Sequence, residues 1–243
     1  MNEGLPPSRA DLAWFFDVDG TVAEIALTPE RVMVDPRIGE LLQTLHARAD
    51  GALALVSGRT LADLDALFPE HRYAAAGQHG LERRDVTGKV TRHAERTAGL
   101  LEAQVALADI ANRFPALHLE VKGLSLAMHY RRAPELAGFV HREMRRMVAR
   151  LGPGLHLQQG KRVVELLPAG ADKGTAVREF MAEPPFVGRT PIFLGDDITD
   201  ERAFEIVNAL GGYSVKVGTG PTLAQWRLDG VTAVRNWLEG VRP

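Results

Sequence analysis

Trp14-Phe15-Phe16-Asp17-Val18-Asp19-Gly20-Thr21 organises the chain. Ala13 to Phe16 read as a short strand, apolar on both faces, as a central parallel strand requires. It runs directly into two carboxylates one residue apart and then a Gly-Thr turn. In open α/β sheets ligands bind beyond the carboxyl ends of the strands, where loops converge. Two acids there can hold a divalent cation, and one of them can attack an electrophile. Asp-Gly is also ordinary turn chemistry, so this run alone leaves both readings open.

Outward from this stretch the pattern repeats. Asp35-Pro36 supplies a helix start, followed by Ile38, Leu41, Leu42 and Leu45 at helical spacing. Ala52 to Val56 is a second apolar strand ending at Ser57-Gly58-Arg59, and Thr60 with Asp63 forms a capping box for the next helix. Tyr73 to Ala76 is a third strand, ending at Gly77-Gln78-His79-Gly80. Strand and helix alternate, which predicts a doubly wound, mostly parallel α/β sheet.

The texture then changes. Leu81 to Arg92 read as a polar hairpin, and a helix over 98–113 follows. Alternating runs about Gly123 and about Gly160-Lys161 give two more hairpins, separated by a helix opening at Pro134. The order α-β-β-α-β-β predicts an inserted α+β domain over 84–167, with the core split into 1–83 and 168–243. Beyond it, Asp172 caps a helix carrying Lys173, and Pro191 to Leu194 form a strand ending at Gly195-Asp196-Asp197. Thr199 is the expected cap of the following helix; Tyr213 to Val217 and Val234 to Val241 are the last strand and helix expected.

Composition narrows the functional classes. The 243 residues carry a net charge of −2, so no global field recruits nucleic acid or an anionic membrane. With no cysteine, disulfides, thiolate zinc sites and cysteine nucleophiles are excluded. Glu3, Pro6, Pro7 and Asp11 stand where a signal peptide needs an apolar run, and no apolar run is long enough for a bilayer; a cytoplasmic monomer is expected. D-x-D-G fails as a calcium loop, because the glycine comes early and Thr28 occupies the glutamate position. No Gly-rich nucleotide cradle is present.

The remaining acids and cations suit phosphate chemistry. Asp17 at a strand end can act as nucleophile, and Asp19 as general acid and then base, or merely as a turn cap. Asp196 ends another strand and should open on the same edge, so Asp17, Asp196 and a carbonyl would suffice for Mg²⁺. Ser57, Gly58 and Lys173 are the phosphate holders, although alone Ser57 is a turn serine and Lys173 a surface lysine. Asp200 can orient Lys173; the helix macrodipole would equally explain Asp200 and Glu201.

Together, Asp17 to Thr21, Leu55 to Arg59, Asp172 to Gly174 and Gly195 to Glu201 resemble the haloacid dehalogenase-like phosphohydrolases. The resemblance implies that Asp17 is the nucleophile, Asp19 the acid/base, and Ser57 and Lys173 phosphate ligands. It implies Mg²⁺ on Asp17, Asp196 and the Asp19 carbonyl, with Asp197 and Asp200 behind them, and a cap domain closing over the site. Ala76 to Glu82, Glu120 to Gly123, His129-Tyr130-Arg131, Val164-Glu165 and Gly195 to Glu201 are similar, more narrowly, to the trehalose-6-phosphate phosphatase family. That likeness implies sugar contacts from Glu120, Lys122 and Glu165, and adds Gln78, His79 and Gly80 as substrate-binding residues; His79 equally suits a structural turn. The expected enzyme is a Mg²⁺-dependent phosphatase for trehalose 6-phosphate. The alternatives are the same chemistry on sucrose or glucosyl-glycerate phosphates, a phosphomutase, or a non-catalytic sugar-phosphate binder.

Overall fold

The computed structural model describes residues 4, 9, 11–95 and 97–241; Glu3, Pro6 and Pro7 lie outside them. The chain divides into two compact units, the larger made of residues 1–91 and 172–243, the smaller of 92–171. Each has its own hydrophobic core.

In the larger unit β1 (Leu12–Phe16) is buried at every position, as its apolar run predicts. Then come α1 (Pro36–Arg48), β2 (Leu53–Val56), α2 (Leu61–Leu67) and β3 (Ala74–Gly77). The caps follow the sequence: the Asp35 carboxylate accepts from the Arg37 N–H, and Thr60 and Asp63 bond reciprocally at the start of α2. A hairpin, β4 (Glu82–Arg84) and β5 (Val90–Arg92), ends this half. After the smaller unit the chain resumes with α5 (Lys173–Met181), β10 (Thr190–Gly195), α6 (Glu201–Ala209), β11 (Tyr213–Val217), β12 (Trp226–Leu228) and α7 (Val231–Gly240). The eight strands lie in the order β12-β11-β10-β1-β2-β3-β4-β5. Pairing is parallel from β12 to β3 and turns antiparallel between β3 and β4.

The core on both sides of this sheet is aromatic. Phe15 packs on Phe180 and Phe186, and Trp14 on Phe16 and Trp237. At the end of α1, His46 lies edge-on to His71 with ring centroids 4.4 Å apart, and His71 contacts Tyr73 at the same separation. Burial lowers the pKa of both histidines, and His71 lowers that of His46 further. The unfolded chain therefore binds more protons than the native one below roughly pH 6.5, so stability falls as the pH drops through that point. Urea unfolding at about pH 7.5 and 5.5 should show this loss, and His46→Gln should shrink it; an unchanged loss would place its origin elsewhere.

The smaller unit contains α3 (Ala98–Arg113), β6 (His118–Val121), β7 (Leu126–His129), α4 (Ala137–Leu151), β8 (Leu155–Gly160) and β9 (Val163–Pro168). Its antiparallel sheet has the order β6-β7-β9-β8. Leu119, Met128 and Val164 lie in register on the face turned to its core.

Four expectations are corrected. The insert begins near residue 92 rather than 84, because β4 and β5 extend the large sheet, and it runs on to 171. α6 starts at Glu201 with Asp200 at its N-cap, after a 3₁₀ turn over 198–200 capped by Asp197, so Thr199 caps neither. β12 was not expected, and α7 begins earlier than Val234.

Candidate active site

Parallel pairing decides which side chains meet. Phe16 is in register with Leu194, and the Asp17 N–H donates to the Leu194 carbonyl at 2.9 Å. The residues following β1 and β10, Asp17 and Asp196, therefore emerge at one edge of the sheet. Ser57 follows the neighbouring β2 at the same edge.

At that edge the oxygens of Asp17, Asp196 and Asp200 lie within 4.8 Å of one another, all buried. Lys173, the first residue of α5, reaches into the cluster from its capped N-terminus, where the Asp172 carboxylate accepts from the Thr175 N–H at 2.7 Å. Its Nζ donates to Asp17 Oδ1 and Asp200 Oδ1, both at 2.7 Å. Asp200 Oδ2 accepts from the Asp197 N–H at 2.8 Å. With both oxygens engaged, Asp200 serves as the acid that orients Lys173.

The electrostatics are unbalanced in a useful way. Burial, opposed by Lys173 but reinforced by Asp200 and Asp196, pushes the Asp17 carboxyl well above its ordinary pKa. Burial opposes the charge on Lys173, but the ion pairs with Asp17 and Asp200 outweigh it, so its pKa is raised. Of the three buried acids, Asp17 and Asp200 share the Lys173 ammonium, and Asp196 lies beside them as a third carboxylate. An all-oxygen donor set suits a hard divalent ion. The loop is shaped for close approach: a Cβ at Gly20, where φ is +85°, would lie 2.1 Å from Asp196 Oδ2.

Two cations carry roles the sequence did not assign. Arg59 donates through Nε and Nη2 to the two oxygens of Asp19, each at 2.7 Å, and through Nη2 to the Pro29 carbonyl. Asp19 is thus held by a bidentate pair rather than inside the acidic cluster. Lys216 on β11 donates to the Asp196 carbonyl at 2.7 Å, fixing the loop that carries that acid. In the sequence Arg59 is only the last residue of Ser57-Gly58-Arg59, with nothing to mark its partner. Lys216 is a single buried cation between Val215 and Val217, which is the signal it offers in the sequence.

Ser57 is buried, and its Oγ accepts from the Arg59 N–H, so hydroxyl and Gly58 sit at one turn. Gln78, His79 and Gly80 form a buried 3₁₀ turn after β3. Gln78 donates to Glu82, whose carboxylate also accepts from the Leu61 N–H at the start of α2. The His79 N–H donates to the Ser57 carbonyl. These contacts brace the Ser57 loop against the turn that follows β3 and the start of α2.

On the smaller unit, Glu120, Ala127 and Glu165 lie in register across β6, β7 and β9, on the sheet face opposite the core. Lys122 Nζ is 3.1 Å from Glu165 and 3.9 Å from Glu120, and Ser125 donates to Glu165 at 2.5 Å. The three residues expected at the sugar are thereby brought together in one polar cluster.

A family model described as trehalose-phosphatase matches residues 15–232. The trehalose-6-phosphate phosphatase of Escherichia coli (strain K12) is 48% identical over 234 residues, which is 96% of this chain and 88% of that protein. A probable trehalose-phosphate phosphatase of Sinorhizobium fredii is 43% identical over 206 residues, 85% of this chain and 77% of that one. Among solved structures, the C-terminal domain of Candida albicans trehalose-6-phosphate phosphatase superposes with a TM-score of 0.85 over 96% of this chain and 92% of that chain. At 22% identity that likeness speaks to the fold alone.

Proposed function

The chain belongs to the trehalose-phosphatase family, and from that premise we propose that it hydrolyses trehalose 6-phosphate to trehalose and inorganic phosphate. The observation that supports this most is the buried Lys173 ammonium bridging Asp17 and Asp200 beside Asp196, at the edge where three parallel strands end. A phosphate ester resists hydrolysis chiefly through its own charge, so a site must neutralise that charge and position a nucleophile.

Asp17 attacks phosphorus with one carboxylate oxygen, forming an acyl phosphate as the bond to the sugar oxygen breaks. Asp19 gives its proton to that leaving oxygen, and takes one from the water that then releases phosphate and restores Asp17. Both Asp19 oxygens accept from Arg59, so one of those bonds must open for Asp19 to take up a proton and pass it to the leaving oxygen. Lys173, with Ser57 and Gly58, holds the phosphoryl oxygens. Asp17, Asp196 and the Asp19 carbonyl would hold Mg²⁺, which would screen the charge on the phosphoryl oxygens and orient them. Glu120, Lys122 and Glu165 would bind sugar hydroxyls, where charged acceptors and donors discriminate strongly against sugars lacking them.

The test is phosphate release from trehalose 6-phosphate, sucrose 6-phosphate and glucose 6-phosphate, with Mg²⁺ and with EDTA. The expected outcome is preference for trehalose 6-phosphate, abolished by EDTA and restored by Mg²⁺. Preference for a monosaccharide phosphate would overturn the substrate; full activity in EDTA would overturn the metal.

A further inference from the structure

The polar face of the smaller sheet contains a group the proposed reaction has not used. His129 on β7 lies on the same face as Glu120, and its Nε2 is 2.7 Å from Glu120 Oε2. The His118 ring lies beside it, tilted by 48° with centroids 5.6 Å apart. Both contacts of the Glu120 carboxylate, to His129 and the longer one to Lys122, fall on Oε2. Oε1 therefore has no partner among the described residues.

We infer that His129 is a positioning residue for sugar recognition: it anchors Glu120 by one oxygen, so that the other is offered to a hydroxyl. The inference rests on the sugar-phosphate reading above. Two donors compete for Glu120, an imidazole N–H at hydrogen-bond distance and an ammonium 3.9 Å away. The ammonium is already 3.1 Å from Glu165. Without the imidazole, Glu120 turns towards the Lys122 ammonium, and the acceptor it offers the sugar is displaced. A hydrogen bond to a charged group carries enough energy for this to matter, while the phosphoryl chemistry, built from other residues, is untouched.

The experiment compares wild type, His129→Phe and His129→Gln, each with Mg²⁺, on trehalose 6-phosphate and on p-nitrophenyl phosphate, which has no sugar. Phe keeps a ring without a donor; Gln keeps a donor at similar reach. For His129→Phe the expected result is a KM for trehalose 6-phosphate raised about tenfold with kcat little changed, and unaltered kinetics on the aryl ester. His129→Gln should recover most of the loss, and melting temperatures should match. If Phe at 129 does not fold, His129→Asn, too short to reach Glu120, makes the same comparison. Equal losses on both substrates, or an unchanged KM for trehalose 6-phosphate, would overturn the inference alone. A wild-type chain that cleaves the aryl ester but not trehalose 6-phosphate would overturn the substrate reading and this inference with it.

Discussion

Asp17→Asn is expected to abolish turnover, by at least about 10⁴-fold, while making the metal-free protein more stable. The amide retains an oxygen for the Lys173 ammonium, now 2.7 Å from Oδ1, so the fold has no reason to change. An amide oxygen does not form an acyl phosphate, so the first covalent step is lost. The stability gain follows from the raised pKa. A carboxyl whose native pKa lies above its unfolded value costs stability at every pH above the unfolded pKa. Burial is the largest cause at Asp17, with Asp200 and Asp196 adding repulsion, and the neutral isostere removes all of it. Steady-state assays and thermal melts in EDTA measure the two effects. An inactive variant with a lower melting temperature would contradict the account of the charge cluster.

Lys173→Met should have the opposite effect on stability and a similar one on activity. Lys173 is 2% exposed and is the ammonium shared by Asp17 and Asp200. Taking one partner from a buried ion pair leaves the other charge uncompensated, a loss of about 3 kcal/mol. Turnover should fall about 10³-fold, as when a preorganised electrostatic donor is removed. Because the carboxylates then lack their ammonium, added Mg²⁺ should raise the melting temperature of Lys173→Met more than that of wild type, without restoring turnover. Equal shifts in both proteins would show that Lys173 and the cation do not share the same carboxylates.

The two halves of the site differed in how plainly the sequence announced them. Asp17 and Asp196 were legible because central parallel strands are continuous apolar runs, so an acid at the end of one stands out against its background. Lys173 was legible through the Asp172 cap that precedes it, which the structure retains. Arg59 and Lys216 were not, since a single cation has no spacing and declares itself only through the group it meets in space. The hairpin at 82–92 misled for a related reason. Glu82, Arg83 and Arg84 belong to a run that reads as a polar hairpin, yet all three are buried. Arg84 forms a bidentate pair with Asp65 and donates to the Tyr73 carbonyl. Arg83 pairs with Glu183 and lies over the Phe180 ring at 4.1 Å. Paired charges can be buried where lone ones cannot, and the pairing partners are distant in sequence. That moved the start of the insert from 84 to 92 and completed the eight-stranded sheet. β12 escaped notice because Trp226-Arg227-Leu228 is too short to show a period.

The central claim, that Asp17 itself carries the phosphoryl group, is tested most directly by acid-quenching the enzyme during turnover of trehalose 6-phosphate with Mg²⁺ and locating the phosphoryl group by peptide mass spectrometry. The predicted result is a hydroxylamine-sensitive phosphoryl group on Asp17, absent from Asp17→Asn. Phosphate released at the normal rate with no phosphoryl group on the enzyme, or with one on a different residue, would contradict it.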